Sequence, residues 1–243
     1  MQYPDLGAVY LLPLAAQIII EKRKKTMELK NVSANFLGDS ITEGCGTTGA
    51  DKTFHAVLAK KTGMKIARNY GIGGTRIADQ KDRSADPERN RSYCERFPSM
   101  DDDASLIVVF GGTNDFGHGD AALGCMSDRT PETFYGACHY LMEGLMKKYP
   151  AATIVIMTPI HRCSEDVTVN ERKIRTAPLK EYVRIIKEVA EYYALPLLDL
   201  WSVSGIQPKV ETNKKLYCPD GLHPNDLGHE LIASRLEGFL KAL

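Results

Sequence analysis

Three side chains near the two ends of the chain have the types and spacing needed for nucleophilic chemistry. Ser40 lies in the run GDSITEG, and Asp220 and His223 lie in the run DGLHP close to the carboxyl terminus. A serine hydroxyl becomes a nucleophile when an imidazole accepts its proton, and a carboxylate three residues before that imidazole can fold back to orient it. Together they predict acyl transfer to Ser40, although a serine after a strand is also a common helix N-cap.

Two further segments are rich in glycine. The run NYGIGGTR contains Gly74, and the run GGTND contains Asn114. Closely spaced glycines let backbone N–H groups approach a ligand, and an asparagine amide can donate to a developing oxyanion. Both runs are also typical of ordinary turns, and the first is a candidate phosphate cradle that lacks the lysine of a P-loop.

Short apolar runs alternate along the chain with amphipathic stretches. Runs rich in β-branched and other apolar residues predict strands, and periodic spacing predicts helices. One helix is expected to begin with Thr130 as N-cap and Pro131 at the first helical position. The predicted strands are 32–37, 65–69, 105–110, 153–157 and 195–200, and the predicted helices are 53–62, 130–148, 179–193 and 225–240.

The alternation predicts an α/β fold. Strands that are apolar on both faces form parallel sheets covered by helices on both sides, so we expect a three-layer αβα sandwich. Ligands in such folds bind at the carboxyl ends of the strands. Three of the four candidate segments directly follow predicted strands, and the fourth precedes the last helix, so they are expected to meet at one edge of the sheet.

Composition excludes several classes of protein. The 243 residues carry no formal net charge, whereas nucleic-acid-binding proteins usually have a basic excess, so no nucleic-acid partner is expected. The six cysteines form no C-x-x-C pair and predict free thiols rather than a zinc site or a disulfide framework. Neither a metal nor an organic cofactor is expected.

The amino-terminal segment is apolar between residues 6 and 20 and is followed by a basic cluster. A secretory signal has its positive charge before the apolar stretch, and a bilayer span needs about 20 residues. Residues 1–31 are therefore expected to form an accessory arm or helix, with no stable membrane insertion. This arm is expected to dock on its own domain or on a second copy of the chain, which would give a homo-oligomer. The expected location is the cytoplasm; an atypical export signal is the alternative.

The four segments resemble the conserved blocks of the SGNH hydrolase superfamily, which is also called the GDSL-like lipases and acylhydrolases. The resemblance covers residues 32–243, the predicted hydrolase domain. It implies a flavodoxin-like αβα sandwich with a central five-stranded parallel sheet.

The resemblance also implies a role for each residue. Ser40 corresponds to the nucleophile, His223 to its base and Asp220 to the acid that orients the base. The oxyanion hole would consist of the backbone N–H groups of Ser40 and Gly74 and the side-chain amide of Asn114. Gly71 and Gly73 lie close to Gly74, but the N-x-x-x-x-G spacing from Asn69 favours Gly74.

The resemblance implies a serine hydrolase that cleaves esters. Polar residues near the motifs favour a short acyl group on a polar alcohol, such as an O-acetyl group on a carbohydrate, and Arg76 and His118 are candidates for substrate binding. A thioesterase or lysophospholipase of the same superfamily is one alternative. A non-catalytic, flavodoxin-like ligand-binding module is another, but it gives the Asp220–His223 pair no purpose.

Overall fold

A computed structural model describes residues 27–81 and 85–243. Most of the predicted N-terminal arm, residues 1–26, lies outside the described residues, and so does the predicted self-association through it. Residues 82–84 also lie outside them. The described chain begins against the body of the protein, where Leu29 is buried in the hydrophobic core.

A five-stranded parallel sheet occupies the centre of the molecule. The strands pair in the order β2-β1-β3-β4-β5, the doubly wound order of flavodoxin-like folds, in which the chain reverses direction across the sheet between β1 and β3. This confirms the predicted sheet and fold class. The strands are β1 (Ser33–Gly38), β2 (Ile66–Gly71), β3 (Leu106–Phe110), β4 (Thr153–Met157) and β5 (Leu197–Leu198).

Successive residues of the central strands enter two different hydrophobic cores. Leu37 and Val109 belong to the core on one face of the sheet, and Phe36 and Val108 belong to the core on the other face. Side chains alternate along a strand, so a strand that is apolar at every position must be covered on both faces. This is why the uninterrupted apolar runs of the sequence produce three layers.

Helices cover both faces of the sheet. The helix 134–148 packs on the helix 179–192 over the first core, and the helix 54–62 packs on the helix 226–242 over the second. The α-helices of the described residues are α1 (Ser40–Glu43), α2 (Phe54–Thr62), α3 (Tyr93–Arg96), α4 (Thr113–His118), α5 (Phe134–Lys148), α6 (Leu179–Tyr192), α7 (Leu200–Val203), α8 (Glu211–Tyr217) and α9 (Asp226–Ala242).

Helix α5 begins later than predicted. Its N-cap is Thr133, whose hydroxyl accepts a hydrogen bond from the N–H of Gly136 at 3.2 Å, and Thr130 is not the cap. The N–H of Phe134 is bonded to the carbonyl oxygen of Ala122, which holds the chain entering the helix in a turn. A long-range contact therefore decides the start of this helix, and the local sequence at Thr130 does not.

Two other predictions differ from the structure. The fifth strand, at one edge of the sheet, pairs with β4 over only Leu197 and Leu198, so it is shorter than predicted. The segment 79–103 is long, charged and weakly patterned, which predicts a loop, but in the structure it contains α3 and two 3₁₀ turns, and its Tyr93 and Phe97 are buried in the core. The apolar residues of this charged segment pack into the core and thereby hold it against the body of the protein.

Within residues 27–81 and 85–243, every helix is too short or too polar to cross a bilayer.

Candidate functional site

The turn that follows β1 holds Ser40 at the carboxyl edge of the sheet. A side chain at Gly38 would place its Cβ 1.9 Å from the hydroxyl of Thr42, so the turn requires glycine there. The carboxylate of Asp39 caps α1 by accepting from the N–H of Ile41 at 3.0 Å. Ser40 is therefore the first residue of a helix whose cap is fixed by its neighbour.

The structure brings the predicted nucleophile, base and acid together. The hydroxyl oxygen of Ser40 lies 3.0 Å from Nε2 of His223, across 183 positions of sequence. Nδ1 of His223 lies 2.7 Å from Oδ2 of Asp220. The imidazole thus contacts a hydroxyl on one side and a carboxylate on the other, which is the geometry of a catalytic triad.

Backbone hydrogen bonds orient the Asp220 carboxylate. Its Oδ1 accepts from the N–H groups of Leu222 and His223 at 2.8 and 2.7 Å. Partial burial alone would raise the pKa of Asp220, but these two N–H groups and the imidazole outweigh it and hold the pKa below its ordinary value. The carboxylate is therefore ionised at neutral pH and can stabilise an imidazolium.

Gly74 and Asn114 lie at the edge of the same cavity. Gly74 has a φ of 76°, a left-handed conformation that strains any other residue. Among the described residues, no oxygen accepts a hydrogen bond from the backbone N–H of Ser40 or of Gly74. Nδ2 of Asn114 donates one hydrogen to the carbonyl oxygen of Thr75 at 3.0 Å, which leaves its second hydrogen for another acceptor.

The neighbouring glycine of the same run has a different role. The N–H of Gly73 donates to Oε2 of Glu43 at 2.9 Å, so it is already occupied. A Cβ at Gly73 would lie 2.8 Å from that oxygen and 3.6 Å from Cβ of Ser40. The geometry therefore agrees with the choice of Gly74, rather than Gly73, as the glycine with an available N–H.

A cavity of about 260 Å³ opens beside Ser40. Eight of its twelve described lining residues are polar or charged, and Leu222 is the one aliphatic side chain among them. The lining residues are Ser40, Glu43, Cys45, Gly73, Gly74, Arg89, Asn114, His118, Arg162, Glu171, Leu222 and His223.

The family is decided by comparison with known proteins. Residues 36–231 match the model of the GDSL-like lipase/acylhydrolase family, which is most of the chain. The chain belongs to this family. Its members hydrolyse esters, so the chain is placed among ester-hydrolysing enzymes, as its motifs predicted.

Individual relatives agree with this placement. The chain is 24% identical to a GDSL lipase of Mycobacterium tuberculosis over 216 residues, which is 88% of this chain and 84% of the relative. A crystal structure of a protein from Lactobacillus plantarum is 30% identical and has a TM-score of 0.74, covering 87% of this chain and 97% of the other. The crystal structure of an acetyl xylan esterase is 20% identical and has a TM-score of 0.56, covering 85% and 98%; it shows the shared fold.

The two predicted substrate-binding residues contact each other. Nη1 of Arg76 donates to the carbonyl oxygen of His118 at 2.7 Å and lies 3.3 Å from its Nδ1. His118 lines the cavity of Ser40, whereas Arg76 lines an adjoining cavity. The structure therefore places only His118 directly at the candidate site of this GDSL-family protein.

The buried carboxylate of Asp115 links two of the loops that follow the strands. The carboxylate of Asp115 accepts from the N–H groups of Ile77 and Ala78, at 3.0 and 2.9 Å, and so ties the Gly74 loop to α4. Burial raises the pKa of Asp115 to about 6, although both N–H groups oppose that shift. Asp115 stands in the GGTND run, but the sequence carries no sign of which loop it binds.

Arg96 performs a similar task between β1 and β2. Its guanidinium donates to the carbonyl oxygens of Gly38 and Tyr70 and to the hydroxyl of Thr75, at 2.7 to 2.9 Å. It thereby joins the turn of Ser40 to the loop of Gly74. Sequence analysis missed Arg96, because nothing distinguishes it from the other charged residues of the segment 79–103.

The irregular segments also supply residues that line the cavity. Arg89 comes from the segment 79–103, and Arg162 and Glu171 come from the segment 161–177. Nη2 of Arg162 lies 3.0 Å from Oε1 of Glu171. The sequence of these long, charged segments fits the wall of a cleft and a solvated loop equally well, and the structure places these three residues in the wall of the cavity.

Cysteine and histidine residues near the motifs do not form a competing site. Burial, followed by the charge of Glu43, raises the pKa of Cys45, which makes its thiol a weaker nucleophile. His229 is buried, and its Nδ1 accepts from the N–H of Phe54 at 3.0 Å. Across residues 27–81 and 85–243, no three His, Cys, Asp or Glu side chains cluster in a way that could hold a metal ion.

Proposed function

We propose that the chain is a serine esterase that removes short acyl groups, with Ser40 as nucleophile, His223 as general base and Asp220 as the acid that orients it. One observation carries the proposal: the Ser40 hydroxyl lies 3.0 Å from Nε2 of His223, whose Nδ1 lies 2.7 Å from the Asp220 carboxylate. A hydroxyl, an imidazole and an ionised carboxylate in this order form a catalytic triad suited to acyl transfer.

In the first half of the reaction, Nε2 of His223 takes the proton of Ser40 while Oγ attacks the ester carbonyl carbon. The tetrahedral intermediate then collapses, the bond to the leaving oxygen breaks, and the imidazolium gives its proton to that oxygen. The products are the free alcohol and an ester of Ser40. Asp220 keeps the imidazole in the required tautomer and balances its positive charge.

Three hydrogen-bond donors would stabilise the negative oxygen of the intermediate. They are the backbone N–H groups of Ser40 and Gly74 and the second hydrogen of the Asn114 amide. The helix that begins at Ser40 adds the positive end of its backbone dipoles at the same point. Donors held in place before the reaction contribute the most, because they need no reorganisation as the charge develops.

In the second half, water attacks the acyl-enzyme with His223 again as base, and Ser40 is released as the leaving group. Ser40, His223 and water make every proton transfer, so the proposed chemistry requires no metal or organic cofactor. The sequence likewise predicted neither a metal nor an organic cofactor.

The lining of the cavity favours a short acyl group. Burying a methylene contributes about 0.8 kcal/mol only where apolar surface receives it. Leu222 is the one aliphatic side chain of the lining among the described residues, so a long chain would gain little there. A polar alcohol suits the same lining, and the likeness to an acetyl xylan esterase makes acetylated carbohydrates the first substrates to test.

The nucleophile is tested with Ser40→Ala. We expect the variant to fold normally, to lose hydrolysis of p-nitrophenyl acetate and to lose labelling by a fluorophosphonate probe. Ser234→Ala is the matched control, because Ser234 is an exposed serine on α9 whose hydroxyl contacts Lys61. Full esterase activity in Ser40→Ala would overturn the proposal.

The acyl preference is tested with a panel of p-nitrophenyl esters from acetate to palmitate, beside acetylated xylo-oligosaccharides and acyl-CoA. We expect kcat/KM to be highest for the shortest acyl chains and to fall as the chain lengthens. A maximum at palmitate, or on the thioester, would contradict the preference for short oxygen esters and leave the role of Ser40 intact.

A further inference from the structure

A second cavity adjoins the one that contains Ser40. Its volume is about 340 Å³, and it shares Gly74, Arg89 and His118 with the first. A ligand bound at Ser40 can therefore extend directly into it. The residues that line this second cavity, called here the arginine pocket, are Gly74, Arg76, Gln80, Arg89, His118 and Arg172.

Arginine is the main residue type of the arginine pocket. Among the six lining residues that the structure describes, three are arginines and none is an aspartate or a glutamate. Arg89 and Arg172 each have a carboxylate partner outside these six residues: Oδ2 of Asp86 is 3.3 Å from Nε of Arg89, and Oδ2 of Asp120 is 3.8 Å from Nη1 of Arg172. A protein with no formal net charge thus concentrates guanidinium groups beside its candidate nucleophile.

The acidic residues of the neighbouring cavity are already engaged. Glu171 is paired with Arg162 at 3.0 Å, and Glu43 accepts from the N–H of Gly73 at 2.9 Å. They lie around Ser40 rather than in the arginine pocket. They therefore interact with groups of their own cavity, and neither of them lines the arginine pocket.

The charges of nearby arginines also affect the pKa of His118. Burial first, and then the charge of Arg76, lowers its pKa to about 4; Glu171 opposes this shift, while Arg162 and Arg172 add to it. The ring is therefore neutral at neutral pH. Because Nη1 of Arg76 donates to Nδ1, the ring proton lies on Nε2, and His118 also offers a donor.

We propose that the arginine pocket binds a carboxylate or phosphate group of the ester substrate, so that the enzyme prefers anionic esters. This inference rests on the proposed function at Ser40 and names the charge of its substrate. Guanidinium groups present planar pairs of N–H donors that match both anions, and such charge-assisted hydrogen bonds are stronger than neutral ones. A pocket with three of them is poorly suited to a purely apolar or cationic group.

The anion can belong to the acyl group or to the alcohol. His223 protonates the leaving alcohol, and it does not line the arginine pocket. A short alcohol would therefore stay near His223, while the acyl group or a longer alcohol would reach Arg89 and Arg172. The shared chemistry is the anion, and two pairs of esters distinguish its position.

The first pair is 3-acetoxybenzoate and its methyl ester, which differ in charge on the alcohol side. The second is p-nitrophenyl hemiadipate and p-nitrophenyl hexanoate, which differ in charge on the acyl side. We expect kcat/KM to be about tenfold higher for the anionic member of one pair, which corresponds to about 1.4 kcal/mol, because hydrogen bonds to charged groups are stronger than neutral ones. Added NaCl should reduce this ratio, because the attraction is between charges.

Single variants locate the effect. Arg89→Gln and Arg172→Gln should each lower the ratio of anionic to neutral kcat/KM about tenfold. Arg91→Gln is the matched control, because Arg91 is a nearby arginine paired with Glu88 at 3.2 Å and lies outside the lining of both cavities. Its ratio should equal that of the wild type.

Binding to Ser40→Ala separates the pocket from the chemistry. Calorimetry should show that this variant binds 3-acetoxybenzoate or hemiadipate more tightly than the neutral partner, and that adding Arg89→Gln removes the difference. Ratios near one for both pairs in the wild type, with equal binding of charged and neutral esters, would overturn the arginine pocket. Failure of the proposed function looks different: neutral esters would be hydrolysed equally by wild type and Ser40→Ala, or by neither.

Discussion

Asn114 donates a hydrogen bond from Nδ2 to the carbonyl oxygen of Thr75 at 3.0 Å, and so joins the loop after β3 to the loop after β2. Thr75 is the residue after Gly74, so the same bond holds the backbone that presents the Gly74 N–H. The amide of Asn114 has two hydrogens, and fixing one of them directs the other. Two of the three donors of the proposed oxyanion hole, the Gly74 N–H and the Asn114 amide, thus depend on one contact.

Replacing Asn114 by Ala should lower kcat by about 100- to 1000-fold and change KM little. The reason is that a donor to the oxyanion acts in the transition state and hardly at all on the bound ester. Steady-state kinetics on p-nitrophenyl acetate measures both constants. A rise in KM at unchanged kcat would show that Asn114 binds the ground state and is no part of the hole.

Gly74→Ala should destabilise the protein by about 1 to 2 kcal/mol and also lower kcat. A φ of 76° strains any residue that has a Cβ, while the space around Gly74 is open enough for a methyl group. Gly238→Ala is the control, because this helical glycine has no neighbour within 4 Å and alanine should stabilise α9 by about 0.5 to 1 kcal/mol. Urea unfolding measures both; equal effects would contradict the strain at Gly74.

Asp220→Asn should lower kcat by about 1000- to 10,000-fold, because an amide can neither hold the imidazole in the working tautomer nor balance its charge. Asp226→Asn is the control in the same region, since Asp226 accepts from Thr48 and does not contact His223. Kinetics and circular dichroism of both variants are the measurement. Comparable losses of activity in the two variants would show that Asp220 is not a member of the proposed catalytic triad.

Burial, and next the charge of His55, lowers the pKa of His229 to about 4, while Asp226 opposes that shift. An unfolded histidine has a pKa near 6.5, so between that pH and about 4 the unfolded chain binds a proton that the folded chain does not. This contribution to stability is complete above pH 6.5 and is lost as the pH falls toward 4.

The variant His229→Gln isolates this effect, because groups common to both proteins cancel in the difference. The stability advantage of the wild type over the variant should shrink by up to about 3 kcal/mol between pH 7 and pH 4. Urea unfolding at several pH values gives the difference. A constant difference would show that His229 titrates alike in both states.

Much of the fold could be read from the sequence, for a physical reason that individual elements show. The run 106–110 is apolar at every position, so both faces of β3 had to be buried, and this required a parallel sheet between helices. The start of α5 could not be read in the same way. Thr130 and Thr133 are both acceptable caps, and the bond from Phe134 to Ala122 selects the second.

The sequence by itself determined which side chains could react: a serine after a strand, an acid three residues before a histidine, and glycines and an asparagine at other strand ends. Residue type and local spacing suffice for that, because they depend on the chain near each motif. Only the tertiary structure decided which side chains come together. It places the hydroxyl of Ser40 beside the imidazole of His223. It also links the loops at the sheet edge through Arg96 and Asp115, and it lines one pocket with Arg89 and Arg172. Those contacts join residues from separate segments, and side-chain proximity of that kind arises only when the strands pair and the helices pack.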